Sequence, residues 1–199
     1  VKFERQILSP EANHEFKDLD TESNSSFAPR IAEHSSDRNI TRAKTLLLGL
    51  GNDLLTDDAI GLRVVAEVRR LLNDHQTISV DESSEMGLAL LDLVVGYETL
   101  IIVDAIQTNK APPGFVHQLE GDDLNALPAV SPHFLGIGEL LALGRELGLA
   151  VPTQVKIFAV EVQDPFNVGT RLTPTLDAAL PRIVECVLRF CVPAPLSSA

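Results

Sequence analysis

Two adjacent carboxylates, Asp57 and Asp58, follow a hydrophobic run that closes in Gly49-Leu50-Gly51. A glycine turn between an apolar strand and a helix commonly cradles phosphate, because the helix N-terminus carries roughly half a positive charge and its amides face the ligand. Here the chain's own acids occupy that place. The third glycine of a Gly-x-Gly-x-x-Gly fingerprint would fall at Leu54, so the dinucleotide pattern fails and the loop suits a cation better. Two more residues belong to the same chemistry: Asp104, after Leu100-Ile101-Ile102-Val103, and His133, after Ser131-Pro132. Two carboxylates and a neutral imidazole form an O,O,N set suited to a borderline divalent metal such as nickel or zinc. The positive end of a helix disfavours the imidazolium, which leaves the His133 lone pair available. Each residue also has a plainer reading. An Asp at a helix start can be a cap, an Asp after a buried strand can satisfy loop amides, and a His at a helix start can be a surface residue. Convergence of all three on one edge is what favours function.

The elements that would position them alternate between short apolar runs and helical stripes. Strands are expected near 45–50, 77–81, 99–103, 114–119 and 155–160. A helix opening around Asp57 and Asp58 places Val64, Val65, Val68, Leu71 and Leu72 on one face. A second helix is expected over Met86 to Val95. Ser131-Pro132 and Thr173-Pro174 each read as an N-cap followed by proline at the first helical position, opening helices to about Leu147 and Phe190, the last kinked or restarted at Pro181. Such alternation implies a largely parallel sheet covered on both faces. Ligands of such sheets bind beyond the carboxyl ends of the strands, where Asp58, Asp104 and His133 are expected at a solvent-accessible edge. Gly51 is expected to need positive φ, and Asn52 to bridge loop amides through its side chain.

Composition sets the limits. At 199 residues with 45% hydrophobic and 22% charged residues, the chain reads as one α/β domain with tails. Residues 1–42 mix charges of both signs with few periodic apolar positions and read as a flexible extension; 43–192 form the domain and 193–199 a flexible tail. A net charge of −12 argues against nucleic-acid binding, which draws on Lys and Arg against phosphate. No apolar run approaches the roughly 20 residues that cross a membrane, and no secretory signal is evident. These features lead to the expectation of a cytoplasmic monomer without a membrane partner. Cys186 and Cys191 lie five apart on the closing helix and read as half-buried thiols, neither disulfide nor metal clip.

Four motifs in order carry a family resemblance: Gly49-x-Gly51-Asn52-x-Leu54-x-x-Asp57-Asp58-x-x-Gly61, Ile101-Ile102-Val103-Asp104-Ala105, Ser131-Pro132-His133-x-x-Gly136 and Leu172-Thr173-Pro174. The chain thereby resembles the maturation endopeptidases of nickel-iron hydrogenases over about 44–190. The resemblance implies a three-layer α/β/α sandwich with a five-stranded, mostly parallel twisted sheet. It also implies removal of a C-terminal extension from the hydrogenase large-subunit precursor after nickel insertion, with the nickel carried by that precursor and no nucleotide cofactor. Positions matching Asp58, Asp104 and His133 form the metal site of that family, and Asp58 stands where relatives may carry Glu. Two departures stand out. A Gly-Gly-Thr type turn is replaced here by Asp81-Glu82-Ser83-Ser84-Glu85-Met86-Gly87, and Ala59 stands where glycine is frequent.

Within that resemblance the catalytic group stays open between a metal that polarises the carbonyl or activates water and Asp58 or Asp104 as general base. The chain lacks the His-Glu-x-x-His helix of common zinc peptidases and a Gly-x-Ser-x-Gly elbow. Two other classes compete. One is a non-catalytic metallocentre-recognition checkpoint. The other is a nucleotide-binding domain that uses Gly49 and Gly51, with Asp81 or Glu82 on a ribose.

Overall fold

The computed structural model describes residues 44–72, 78–120 and 136–192. The elements run β1 (Thr45–Leu50), α1 (Ile60–Leu72), β2 (Ile78–Ser83), α2 (Ala89–Val94), β3 (Thr99–Ile106), β4 (Val116–Glu120), α3 (Ile137–Glu146), β5 (Gln154–Glu161) and α4 (Pro174–Cys191). They build a five-stranded sheet in the order β2-β1-β3-β5-β4. Every neighbouring pair is parallel except β4 with β5.

Alternation along the central strands explains the layers. Successive side chains point to opposite faces of a sheet, so Leu47, Ile101, Val103 and Phe158 pack with α1 and α4, while Leu46, Leu48, Leu100 and Ile102 pack with α2 and α3. Because both faces are covered, these strands are apolar at nearly every position. This is the three-layer α/β/α arrangement that the sequence led us to expect.

Local differences have local causes. Met86 lies outside α2, which starts only at Ala89, after Gly87 at φ 60 has turned the chain. Leu71 is exposed while Leu72 is buried, so the buried face of α1 is narrower than its apolar pattern. α4 runs unbroken through Pro181 and does not restart there. Thr173 holds the N-cap position of α4 without capping it, because its hydroxyl bonds elsewhere. The start expected for a helix at Ser131-Pro132, and the segments 1–42 and 193–199, lie outside the described residues. No described helix is long and apolar enough to cross a membrane.

Candidate active site

The chain leaves β1 towards β2 on one side and later returns to β3 on the other, so the strand order reverses between β1 and β3. A crevice opens outside the carboxyl ends of strands at such a point. Three glycines bring α1 down onto it. A β-carbon at Gly61 would lie 2.2 Å from the Leu50 carbonyl and 2.3 Å from that of Val103, and one at Gly49 would lie 2.6 Å from the Gly61 carbonyl. One at Gly51, whose φ is +149°, would lie 2.1 Å from the Asp58 carbonyl. The glycine pattern is therefore a close-packing device between helix and strands, and the positive φ expected at Gly51 is present.

α1 begins at Ile60, so Asp57 and Asp58 lie in the turn before the helix and not in its first turn. The two neighbours have different jobs. Asp57 is fully buried and accepts hydrogen bonds from the amides of Gln163, Asp164 and Thr173 and from the Thr173 hydroxyl, at 2.7–3.3 Å. It ties the loop after β1 to the loop between β5 and α4. Backbone bonds reinforce that tie, with Thr56 donating to the Asn167 carbonyl, Asp57 to that of Asp164 and Gly169 to that of Leu54.

Asp58 faces the other way. Its Oδ2 accepts the Asn52 amide at 2.9 Å, and the Asn52 side-chain oxygen accepts the Leu54 amide, the bridging role expected of Asn52. Asp58 is 6% exposed and lines a cavity of about 400 Å³ with Asn52, Leu55, Ile106, Gln107 and Phe166 among its walls. The cavity collects residues that follow β1, β3 and β5, as the topology requires.

Asp104 departs from expectation. β3 continues to Ile106, so Asp104 is inside the strand and wholly buried, with its Oδ1 accepting the Ala105 amide at 2.8 Å. Neither acid is at an open edge: Asp58 is reached through the cavity, and Asp104 lies one residue behind its Ala105 and Ile106 wall. The third expected ligand, His133, lies outside the described residues. Among the described residues no three His, Cys, Asp or Glu side chains form a group that could hold a metal ion.

A fourth buried carboxylate, Glu161 at the end of β5, escaped the reading of the sequence. Its Oε1 accepts the Thr108 and Asn109 amides, and its Oε2 accepts the Thr108 hydroxyl at 2.7 Å and pairs with His117 Nε2 at 3.1 Å. Burial pushes its pKa up, but the bonds from Thr108, His117 and the Thr108 and Asn109 amides outweigh it, and the net shift is downward. These bonds also hold Asn109 at φ 57, the one non-glycine residue at positive φ among those described. Glu161 thus clamps the turn after β3, and Gln107 on that turn donates to the Gln163 carbonyl at 3.0 Å. The only signal in the sequence was an acid closing an apolar strand, which Asp104 shares.

Cys186 and Cys191 are free and half-buried, as expected, and burial raises the Cys191 thiol to about 11. A thiol so protonated is a poor nucleophile.

Comparison with known proteins now places this geometry. The model of the hydrogenase maturation protease family matches residues 62–190. The chain is 34% identical to the hydrogenase 2 maturation protease of Escherichia coli K12 over 149 residues, which cover 73% of this chain and 88% of that one. Among solved structures it is similar to the hydrogenase maturating endopeptidase HybD of E. coli, with a TM-score of 0.61, 31% identity and coverage of 74% and 91% of the two chains. It is also similar to the [NiFe] hydrogenase maturation protease HybD of Thermococcus kodakarensis, with a TM-score of 0.55, 26% identity and coverage of 75% and 99%. The chain belongs to the hydrogenase maturation protease family.

Proposed function

We propose that this peptidase removes the C-terminal extension of a nickel-iron hydrogenase large-subunit precursor once nickel has been inserted, with the precursor's nickel as the recognition element. The observation that carries the reading is the position of Asp58: a carboxylate where the strand order reverses between the parallel strands β1 and β3, opening on a cavity beyond the strand ends. The donor set supports it, since Asp58, Asp104 and His133 match in type what a borderline divalent ion accepts. Nickel belongs to the substrate in this account. Asp58, Asp104 and His133 are the residues that would hold it when the precursor docks.

Hydrolysis needs a water whose proton is removed as its oxygen attacks the scissile carbonyl, and an amine that gains a proton as the C–N bond breaks. Asp58 is the carboxylate that lines the cavity and takes the general-base role. Docking through the metal converts the encounter into an oriented, effectively intramolecular one, so unloaded precursor is spared.

The test compares nickel-loaded and nickel-free precursor, with the product mass as readout. Cleavage of the loaded form only, lost in Asp58→Ala, Asp104→Ala and His133→Ala, is the expected result. Equal cleavage of both forms would overturn nickel recognition, and full processing by any of the three variants would remove that residue from the site. Binding of loaded precursor without any cleavage would favour the checkpoint reading instead.

A further inference from the structure

The cavity beside Asp58 is more apolar than a water-activating site requires. Leu55, Met86, Val162, Pro165 and Phe166 supply hydrocarbon walls. Its polar lining is engaged with the protein: Asp58 accepts the Asn52 amide and the Gln107 side-chain amide donates to Gln163. At about 400 Å³ the space lies in the range of small-ligand pockets, about 300–1,000 Å³, and holds a large side chain with some of its backbone.

The rim is built and not accidental. Met86 is 53% exposed and Phe166 65%, and single exposed apolar residues are ordinary. These two come from different loops, after β2 and after β5, yet meet at one cavity. Each loop is tied down. The Asp164 carboxylate accepts the Phe166 and Asn167 amides and the Asn167 side-chain amide. The Ser83 carbonyl accepts the Gly51 amide, and its hydroxyl accepts that of Glu85. An apolar rim already held in place loses little freedom when it is covered.

We propose that this cavity is a specificity subsite that takes a bulky, uncharged apolar side chain of the precursor from the residue next to the cleaved bond. The proposal rests on Asp58 belonging to the reacting centre, because that carboxylate is shared by the cavity and the site. The occupant follows from the chemistry of the walls. An apolar group displaces water that those walls bond poorly. An acidic side chain would be desolvated against hydrocarbon beside the like charge of Asp58, which is costly. Met86 and Phe166 set the size of the occupant.

The test uses the full chain and nickel-loaded precursor, with the cut mapped by mass. Each precursor residue flanking the cut is replaced in turn by Leu, Gly and Asp, and kcat and KM are measured. One position should favour Leu over Gly by about 10- to 200-fold in kcat/KM, the range for an apolar pocket, and reject Asp still more strongly. Met86→Ala with Phe166→Ala should compress that preference about tenfold at the same position. Leu88→Ala, exposed nearby but not lining the cavity, should leave it unchanged. Cleavage of native precursor with no position discriminating Leu from Gly by threefold, or a preference that survives the double substitution, would overturn the subsite while leaving the proposed function intact. A concentration-dependent dimer of the chain abolished by Phe166→Ala would assign the rim to a second copy and overturn it as well. Failure to cleave loaded precursor at all would refute the proposed function, and this inference with it.

Discussion

Replacing Asp57 and Asp58 one at a time should separate stability from activity at adjacent positions. Asp57→Ala removes the acceptor of four hydrogen bonds, three from backbone amides of 163, 164 and 173 and one from the Thr173 hydroxyl. A buried donor left without its partner costs about 1–3 kcal/mol, and bonds to a charged acceptor lie towards the upper end. Gln163 is exposed and Asp164 and Thr173 are half-buried, so water can recover part of the loss. We expect about 3 kcal/mol in total, a large share of the roughly 5–15 kcal/mol that holds a domain. For a chain of this size that is a fall in Tm of about 6–12 °C. Asp57→Asn should fall between, because its NH2 cannot accept and must face at least one of those donors. Asp58→Ala loses the bond from the Asn52 amide, itself worth about 1 kcal/mol, and should abolish processing. Urea unfolding with linear extrapolation measures the first pair of effects, and precursor mass the last. Asp57→Ala within 0.5 kcal/mol of wild type, as surface changes are, would refute the cross-loop role.

Three further outcomes follow from the same geometry. Gly51→Val should lower both stability and processing, since its β-carbon would meet the Asp58 carbonyl at 2.1 Å and push the acid out of place; unchanged activity together with ATP or NAD binding near Gly49 would revive a nucleotide role. The lowered pKa of Glu161 makes its clamp a source of stability that is complete above its ordinary value of 4.5 and is lost as pH falls through the lower folded value. A stability profile that loses part of its acid slope below 4.5 in Glu161→Gln checks the sign, and an identical slope would refute it. Deleting residues 1–42 should shift Tm by only a few degrees, because a segment poor in periodic apolar residues adds little to a core; a loss of several kcal/mol would show that the segment packs on the domain.

Element types were legible in the sequence because they depend on periodicity along the chain. The short apolar runs at 45–50 and 99–103 fit buried strands by their length, and the spacing of Val64, Val65 and Val68 fits one face of a helix. Asp58 was legible for a related reason: its place after a strand at the start of a sheet is a matter of order. Which acids are structural was not, since Asp57 and Asp58 are identical in type and adjacent in sequence. Their roles diverge only when the loop carrying Gln163, Asp164 and Thr173 closes over one of them, about 106 to 116 residues away. Asp104 looked like a strand terminus because hydrophobicity stops there, but β5 pairs with β3 as far as Ile106↔Glu161 and carries the strand past it. Glu161, its hold on the Asn109 turn, and the cavity that gathers Met86 and Phe166 arise from contacts between segments far apart in the chain. Local pattern determined what each segment becomes; the meeting of distant loops decided which polar groups are satisfied by the protein and which side chains are left to face a substrate.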